Sequence, residues 1–455
     1  MSKKAANLPN DLVLASMFPM EELSSKALGY LLFQARAADR YRKKRLREVK
    51  KAGSGHNKFE VQKTYLGSQQ VRFSALLRAA LLLEAKDRLK ISEYQKLAAT
   101  MKLHEPIPEK VEFFLKEKSI KNGILEYRCI CNFGVQHRAA QAIVKDIVSA
   151  QFKPEKFQFG TPGRKITTAV KLVRKNYAAG KIHVERLDIK SYYDSFSHSA
   201  LMGSGLMEPS FIENIAIGRY YNELYAVKLH DGTSLPHETA LEYSTVTRTK
   251  GIPQGSSCSP IIGSFYVSKL KFKLPTGTSV LNYVDDFLLM SKSAEKLSKG
   301  KNALYAAVKA ISVGQFELLS KDGSSSPPDF EFLGHLFRID QDGKLHVSIT
   351  GPNLLNFLHR EIKKNDAIVS IYEKGKKHKY EFPDWKQKIL EHLESWAKFG
   401  LGWLSAFSEA DDIEAHRLEF MESFENMCWF GGFDAAKLIK DTEPDLELIM
   451  PWTMS

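Results

Sequence analysis

Cysteine is scarce in this chain. The four residues, at 129, 131, 258 and 428, form no Cys-x-x-Cys pair and have no flanking histidine cluster. That spacing argues against a disulfide framework and against a structural zinc site, and it points to a reducing compartment. Apolar runs of membrane-spanning length are absent, so no membrane partner is expected. The opening MSKKAANLPND lacks the apolar core of a secretion signal. The expectation is a protein that stays in the cytoplasm. No internal repeat is evident. Acidic residues are outnumbered, 53 against 66 basic ones, leaving a net charge of +13. A surplus of that sign favours polyanions, nucleic acid above all, through release of condensed counterions, although many basic proteins bind no nucleic acid.

What is present suits two or three subdomains, since the chain has 455 residues of which 43% are hydrophobic. Residues 1–104 read as a helical N-terminal extension, with apolar clusters at Leu28–Phe33 and Leu76–Leu83 among good helix formers. Between them lies RYRKKRLREVKK, from Arg40 to Lys51, closed by AGSGH. This stretch is either a solvated helix face or a phosphate-contacting helix, with Arg42, Lys43, Lys44 and Arg45 as the contacts. Residues 105–345 mix short strands and helices. HVERLDI is strand-like, YAVKLHDGTSLP carries an Asp-Gly hairpin signal, and KSAEKLSKGKNALYAAVKAI is an amphipathic helix. A GSSSPP loop precedes FEFLGHLF. Residues 346–455 read as helical again, so the fold class is α+β.

The most informative run is VLNYVDDFLLM, where Asp285 and Asp286 interrupt an apolar strand pattern. Adjacent buried carboxylates repel, raise each other's pKa and are costly to desolvate. A divalent cation relieves all three problems. A hairpin tip in water is the alternative. Asp188, between Leu187 and Ile189, supplies a third carboxylate near the end of HVERLDI. A strand-borne acid and an acid-tipped hairpin can converge at one sheet edge and hold two ions about 3.5–4 Å apart. Hard oxygen ligands select magnesium, with manganese as a substitute. GIPQGSSCSP, from Gly251 to Pro260, is a glycine-bearing loop before an apolar helix, a junction suited to a phosphate or a base-paired nucleotide.

Together these segments resemble the palm of reverse transcriptases. LDIKSYYDSF, GIPQGSSCSP and NYVDDFLLM are similar to its first three motifs, in the family's order, and SKDG and FEFLGHLF to the fourth and fifth. The resemblance covers about 120–340. It implies a right-hand polymerase of fingers, palm and thumb. It further implies an RRM-like antiparallel palm sheet, with 105–345 as fingers and palm and 346–455 as a helical thumb. It implies Asp188, Asp285 and Asp286 as metal ligands, with Asp286 the least direct, and Ile189 as a backbone-carbonyl ligand. Tyr193 matches the aromatic position under the incoming sugar, which implies deoxynucleotides. Gln254 and Gly255 match the loop at the nascent base pair, and Lys321 the lysine that protonates pyrophosphate. Phe332, Leu333 and Gly334 match the hairpin that grips the primer. Arg128 resembles the triphosphate clamp, with Lys121 a second clamp on spacing alone. Arg138 and Gln141 fit an Arg-x-x-Gln pattern of bacterial members, and FGTPGRK departs in order from their Gly-Phe-Arg-type segment.

The Asp-Ile-Lys and Pro-Gln-Gly forms look bacterial. Group II intron enzymes carry a maturase region and often an endonuclease after the palm, and no His-rich, Cys-rich nuclease signature appears here. Retron enzymes carry Asn-Ala-x-x-His, also absent, and VSITG is only a loose echo of their Val-Thr-Gly. The chain therefore looks most like abortive-infection and defence-associated reverse transcriptases. The implied partners are an RNA template, which could be a dedicated non-coding RNA, dNTPs, a DNA product, and a partner protein or second copy. A retron- or intron-type reverse transcriptase, template-independent nucleotide addition, an RNA polymerase on the same palm and a catalytically silent RNA-binding scaffold stay open as alternatives.

Overall fold

The computed structural model describes residues 18–19, 23–52, 57–83, 85–121, 124–161, 164–218, 227–229, 250–321, 329–378 and 384–442. The opening segment, the Asp-Gly at 231–232 and the loop at 323–328 lie outside the described residues.

The N-terminal helices are α1 (Ser25–Ala52), α2 (Lys58–Gly67), α3 (Gln69–Ala80) and α4 (Ile91–Thr100). Leu31, Leu32, Ala35, Ala38, Asp39, Arg42 and Val49 of α1 are buried, one stripe at helical spacing. That stripe packs on α3 and on α5 (Val135–Gln151) in one apolar cluster. Arg42 is where the structure corrects the sequence reading. It is only 1% exposed, and its guanidinium pairs with Asp39 at 3.1 Å and Asp146 of α5 at 2.9 Å. Tyr65 and Arg78 join the same Asp146 oxygen at 2.9 and 3.0 Å. A buried cation must be paired, so Arg42 locks helices together and cannot reach a phosphate.

Strands β1 (Val111–Lys121) and β2 (Ile124–Phe133) form an antiparallel pair, and β5 (Val227–Leu229) runs parallel to β1. The central sheet contains β3 (Gln158–Phe159), β4 (His183–Ile189), β6 (Thr278–Tyr283), β7 (Asp286–Ser291) and β8 (Leu318–Ser320), in the order β3-β6-β7-β4-β8. All its pairings are antiparallel except β3 with β6. Four further helices flank these strands: α6 (Ile166–Ala178), α7 (His198–Met202), α8 (Ser259–Val267) and α9 (Ala294–Lys309). Successive side chains of β7 point to opposite faces, and both faces are covered. Phe287 and Leu289 join the cluster that contains α5, α8 and α9. Leu288 and Met290 join α6 and a second sheet. This explains the unbroken apolar run FLLM.

That second sheet comprises β9 (Asp329–Phe332), β10 (His335–Ile339) and β11 (Leu345–Ile349), all antiparallel. Helices α10 (Gly351–Lys377), α11 (Trp385–Ala406), α12 (Ile413–Gly431) and α13 (Ala435–Thr442) follow around Phe357, Trp396, Phe420 and Phe424. Asp411 is one of several residues that tie them back, with Glu409 beside it accepting from Arg174 and pairing with Lys171. Asp411 pairs with Arg174 of α6 at 2.6 Å, accepts from the Val347 amide at 2.8 Å, and donates its own amide to the Val347 carbonyl at 2.7 Å.

Candidate active site

Strand β4 is built from Val184, Leu187 and Ile189, which are buried, so its register is held and Asp188 is delivered near its end. Behind it, buried Glu185 is paired with Lys301 of α9 and accepts from the Ser320 hydroxyl of β8 at 2.7 Å. Asp188 lies directly opposite Asp286 on β7. Tyr283 and Asp286 pair across the β6–β7 hairpin, which leaves Val284 and Asp285 as its two-residue turn. Val284 adopts φ 58°, a strained value for a β-branched residue. The turn is held open by Asn282, whose buried carboxamide donates to the Val284 carbonyl at 3.0 Å and the Asp286 carbonyl at 3.1 Å. The Ile189 amide donates to the Asp285 carbonyl at 3.1 Å. Strand and turn are thus one hydrogen-bonded unit.

The result is that ligand-capable oxygens of Asp188, Asp285 and Asp286 all lie within 4.8 Å of one another. Burial pushes the Asp285 carboxyl up to about 7, with the neighbouring Asp286 and Asp188 charges adding to it. Burial also raises Asp188, against the pull of Lys321. Lys321, at the end of β8, places its ammonium on Asp286 and 3.2 Å from Asp188. An ammonium drawn onto the cluster, and a carboxyl half-protonated near neutrality, both show that this arrangement calls for positive charge. Three hard oxygen donors at this separation fit a divalent cation such as magnesium.

A cleft of about 550 Å³ opens beside the carboxylates. Arg128, Ile189, Tyr193, Gln254 and Lys321 line it together with the three aspartates. Tyr193 follows the β4 exit in a tight turn, and its carbonyl accepts from the Ile252 amide at 2.8 Å. Gly251 has φ 92°, and a Cβ there would sit 3.1 Å from Asp194 Cα, so only glycine lets the loop close on the Tyr193 turn. Gly255 does not line the cleft. It has φ 96°, and a Cβ would strike the Cys131 carbonyl oxygen, so its role is to let the loop dock on β2. The Cys131 amide then donates to the Gln254 carbonyl at 2.8 Å.

Other sequence candidates fall elsewhere. Lys121 ends β1 beside 122–123, and its side chain lies outside the described residues. Arg138 is held by the Phe133 carbonyl at 2.6 Å and Asn132 at 3.2 Å, so it braces the end of β2. Gln141 supports the loop by accepting from the Ser257 amide at 3.1 Å. In FGTPGRK, Gly160 is where the Tyr283 ring packs, and any Cβ would collide with it. Leu333 and Gly334 form the β9–β10 turn with φ 55° and 75°. Phe332 is corrected: its side chain is 5% exposed in the core, so it cannot touch a strand of nucleic acid. Lys43 pairs with Asp39 at 2.6 Å and Arg45 with Glu48 at 2.7 Å, whereas Lys44 faces solvent.

Sequence reasoning missed Asn282, the Glu185–Lys301 pair and the cleft-lining Cys129, Cys131 and Asp194. The signal for Asn282 was present, because an amide inside the apolar VLNYV run needs buried partners.

Residues 116–317 match the family model described as reverse transcriptase (RNA-dependent DNA polymerase). No curated protein matches the chain. Among solved structures, a telomerase from Candida albicans, in complex with a fragment of telomeric RNA, aligns with 10% identity and a TM-score of 0.33. The alignment covers 75% of this chain and 65% of that one, so the chain spans about two-thirds of that telomerase's length.

Proposed function

We propose, from the premise that residues 116–317 form a reverse-transcriptase domain, an RNA-directed DNA polymerase and hence a nucleotidyltransferase, that this chain adds dNTPs to a nucleic-acid 3′-hydroxyl with two divalent ions. The observation that carries the reading is the convergence of Asp188, Asp285 and Asp286 within 4.8 Å from a strand and a facing hairpin. Magnesium, or manganese in its place, would supply Lewis-acid activation of the attacking hydroxyl and charge neutralisation at the triphosphate. Asp188 and Asp285 would hold it with the Ile189 carbonyl, and Asp286 less directly. Arg128 binds triphosphate oxygens with its planar fork. Tyr193 underlies the sugar and excludes a 2′-hydroxyl. Gln254 lies at the nascent base pair, and Lys321, already on the carboxylates, gives a proton to departing pyrophosphate. The order β8-β4-β7-β6, with α8 and α9 as crossovers, supports reading the central sheet as an RRM-like palm between fingers and a helical thumb, with boundaries near 104 and 345.

The template in this reading is RNA. The setting is the bacterial cytoplasm, and the role is phage defence, supported by the helical segments flanking the palm and by the missing retron and intron signatures. The test is dNTP incorporation by purified protein with magnesium. Asp285→Ala plus Asp286→Ala should reduce incorporation to background, and equal incorporation by both proteins would refute the carboxylate assignment. Preference for NTPs over dNTPs would transfer the chemistry to an RNA polymerase.

A further inference from the structure

We propose that the outward face of α1, from Tyr30 to Lys51, is a track for single-stranded nucleic acid, with phosphates on Arg40, Lys44, Arg47 and Lys51 and bases on Tyr30 and Phe33. The inward face of α1 is consumed by the core, Arg42 included. Opposite it, residues 30, 33, 40, 44, 47 and 51 recur at intervals of three, four or seven, which places them on one line. All six are exposed, Tyr30 by 63% and Phe33 by 58%. Large rings left this open on a helix that already has a buried apolar face call for a partner.

The charge on this face is of one sign. Lys26 and Lys50 are exposed beside the line. Of the two acids of α1, Asp39 is buried against Arg42 and Lys43, and Glu48, part-exposed at the edge of this face, is neutralised by Arg45. Successive cations stand about one helical turn apart, roughly 5.4 Å, a row that suits a phosphodiester backbone. The Arg40 guanidinium lies 5.8 Å from the Phe33 ring, so cation and π-face are presented together. Rings stack only on bases that are not already paired, which favours a single strand over a duplex. An anionic membrane is the weaker occupant. A surface-bound helix buries a broad apolar face in lipid, and here that face is inside the protein.

This inference rests on the polymerase reading only for whether the strand is template or product. The test uses the full chain with labelled single-stranded RNA and DNA, the corresponding duplexes, and anionic vesicles. One variant carries Arg40→Glu, Arg47→Glu and Lys51→Glu. A second carries Tyr30→Ala and Phe33→Ala. A control carries the same charge change at the exposed Lys296, Lys309 and Lys344, each to Glu. The charge variant should lose at least about tenfold in single-strand affinity. Its log–log salt slope should be shallower by about 2, from roughly 0.7 per phosphate contact. The aromatic variant should weaken binding with the slope unchanged. Incorporation on a short preformed hybrid should match wild type in both variants. Binding by both variants equal to that of the control, or a wild-type preference for duplex or vesicles, would overturn the proposal. Failure of the polymerase reading would appear separately, as normal strand binding without incorporation.

Discussion

At the residue scale, the site is governed by one crowded charge. The Asp285 carboxyl is pushed up to about 7 by partial burial and by the neighbouring Asp286 and Asp188 charges. A folded-state pKa above the unfolded value of 3.8 means stability is fully present below that unfolded value and is lost as pH rises through about 7. The metal-free protein should therefore melt at a higher temperature at pH 5.5 than at pH 8 from this contribution. Asp285→Asn should remove that difference, as followed by thermal unfolding in chelator. Magnesium should reverse the trend, raising the melting temperature more at pH 8 than at pH 5.5. Below pH 7 a proton competes with the ion, so magnesium affinity measured by calorimetry should fall by up to about tenfold per pH unit. Asn282 acts one step behind. Asn282→Ala would leave two carbonyls of the turn without their partner, at about 1–3 kcal/mol in urea unfolding. It should lower kcat more than KM, because the carboxylate positions loosen while the cleft walls stay.

At the element scale, a loop and a strand depend on one missing side chain. Gly255 is the point where the 251–260 loop meets the β2 backbone at Cys131. Gly255→Ala must displace that loop, and with it Gln254, so incorporation should fall and misincorporation rise while the helical extension melts as before. The extension has its own vulnerable point. Arg42, Arg78 and Tyr65 converge on Asp146. Burial works to raise the Asp146 carboxyl, but Arg78 and Arg42 override it and hold it below the usual range. Asp146→Ala would leave buried Arg42 with Asp39 alone and take the carboxylate from part-buried Arg78, and should cost about 3–5 kcal/mol in denaturant unfolding.

At the scale of the whole molecule, Asp411 couples the C-terminal helices to β11 and α6. Asp411→Ala removes an ion pair and an amide acceptor at that seam. Single-nucleotide incorporation should be nearly unchanged, because the carboxylates do not touch Asp411. On the proposed thumb role of these helices, products on a long template should shorten, as resolved on a denaturing gel, because a loosened helical unit would release the duplex sooner.

What could be read from sequence was whatever the local pattern encodes. The acids inside an apolar strand, the ordered loop motifs and the helical ends are legible because period, turn chemistry and buried-charge cost act over a few residues. Tyr193, Gln254 and Arg128 could be named because their motifs are contiguous. Tertiary structure alone decided which basic residues of α1 face the core, since a helix carries cations all round and only packing chooses the buried side. Arg42 thus became a structural cation, and the exposed line shifted to Arg40, Lys44, Arg47 and Lys51. Packing likewise turned Phe332 inward and made Gly255 a docking point. Asn282 and Glu185 gained their roles from partners whose positions depend on the sheet. Chemistry was written along the chain, but the assignment of each side chain to cleft, core or surface required the fold, because burial is a property of neighbours distant in sequence.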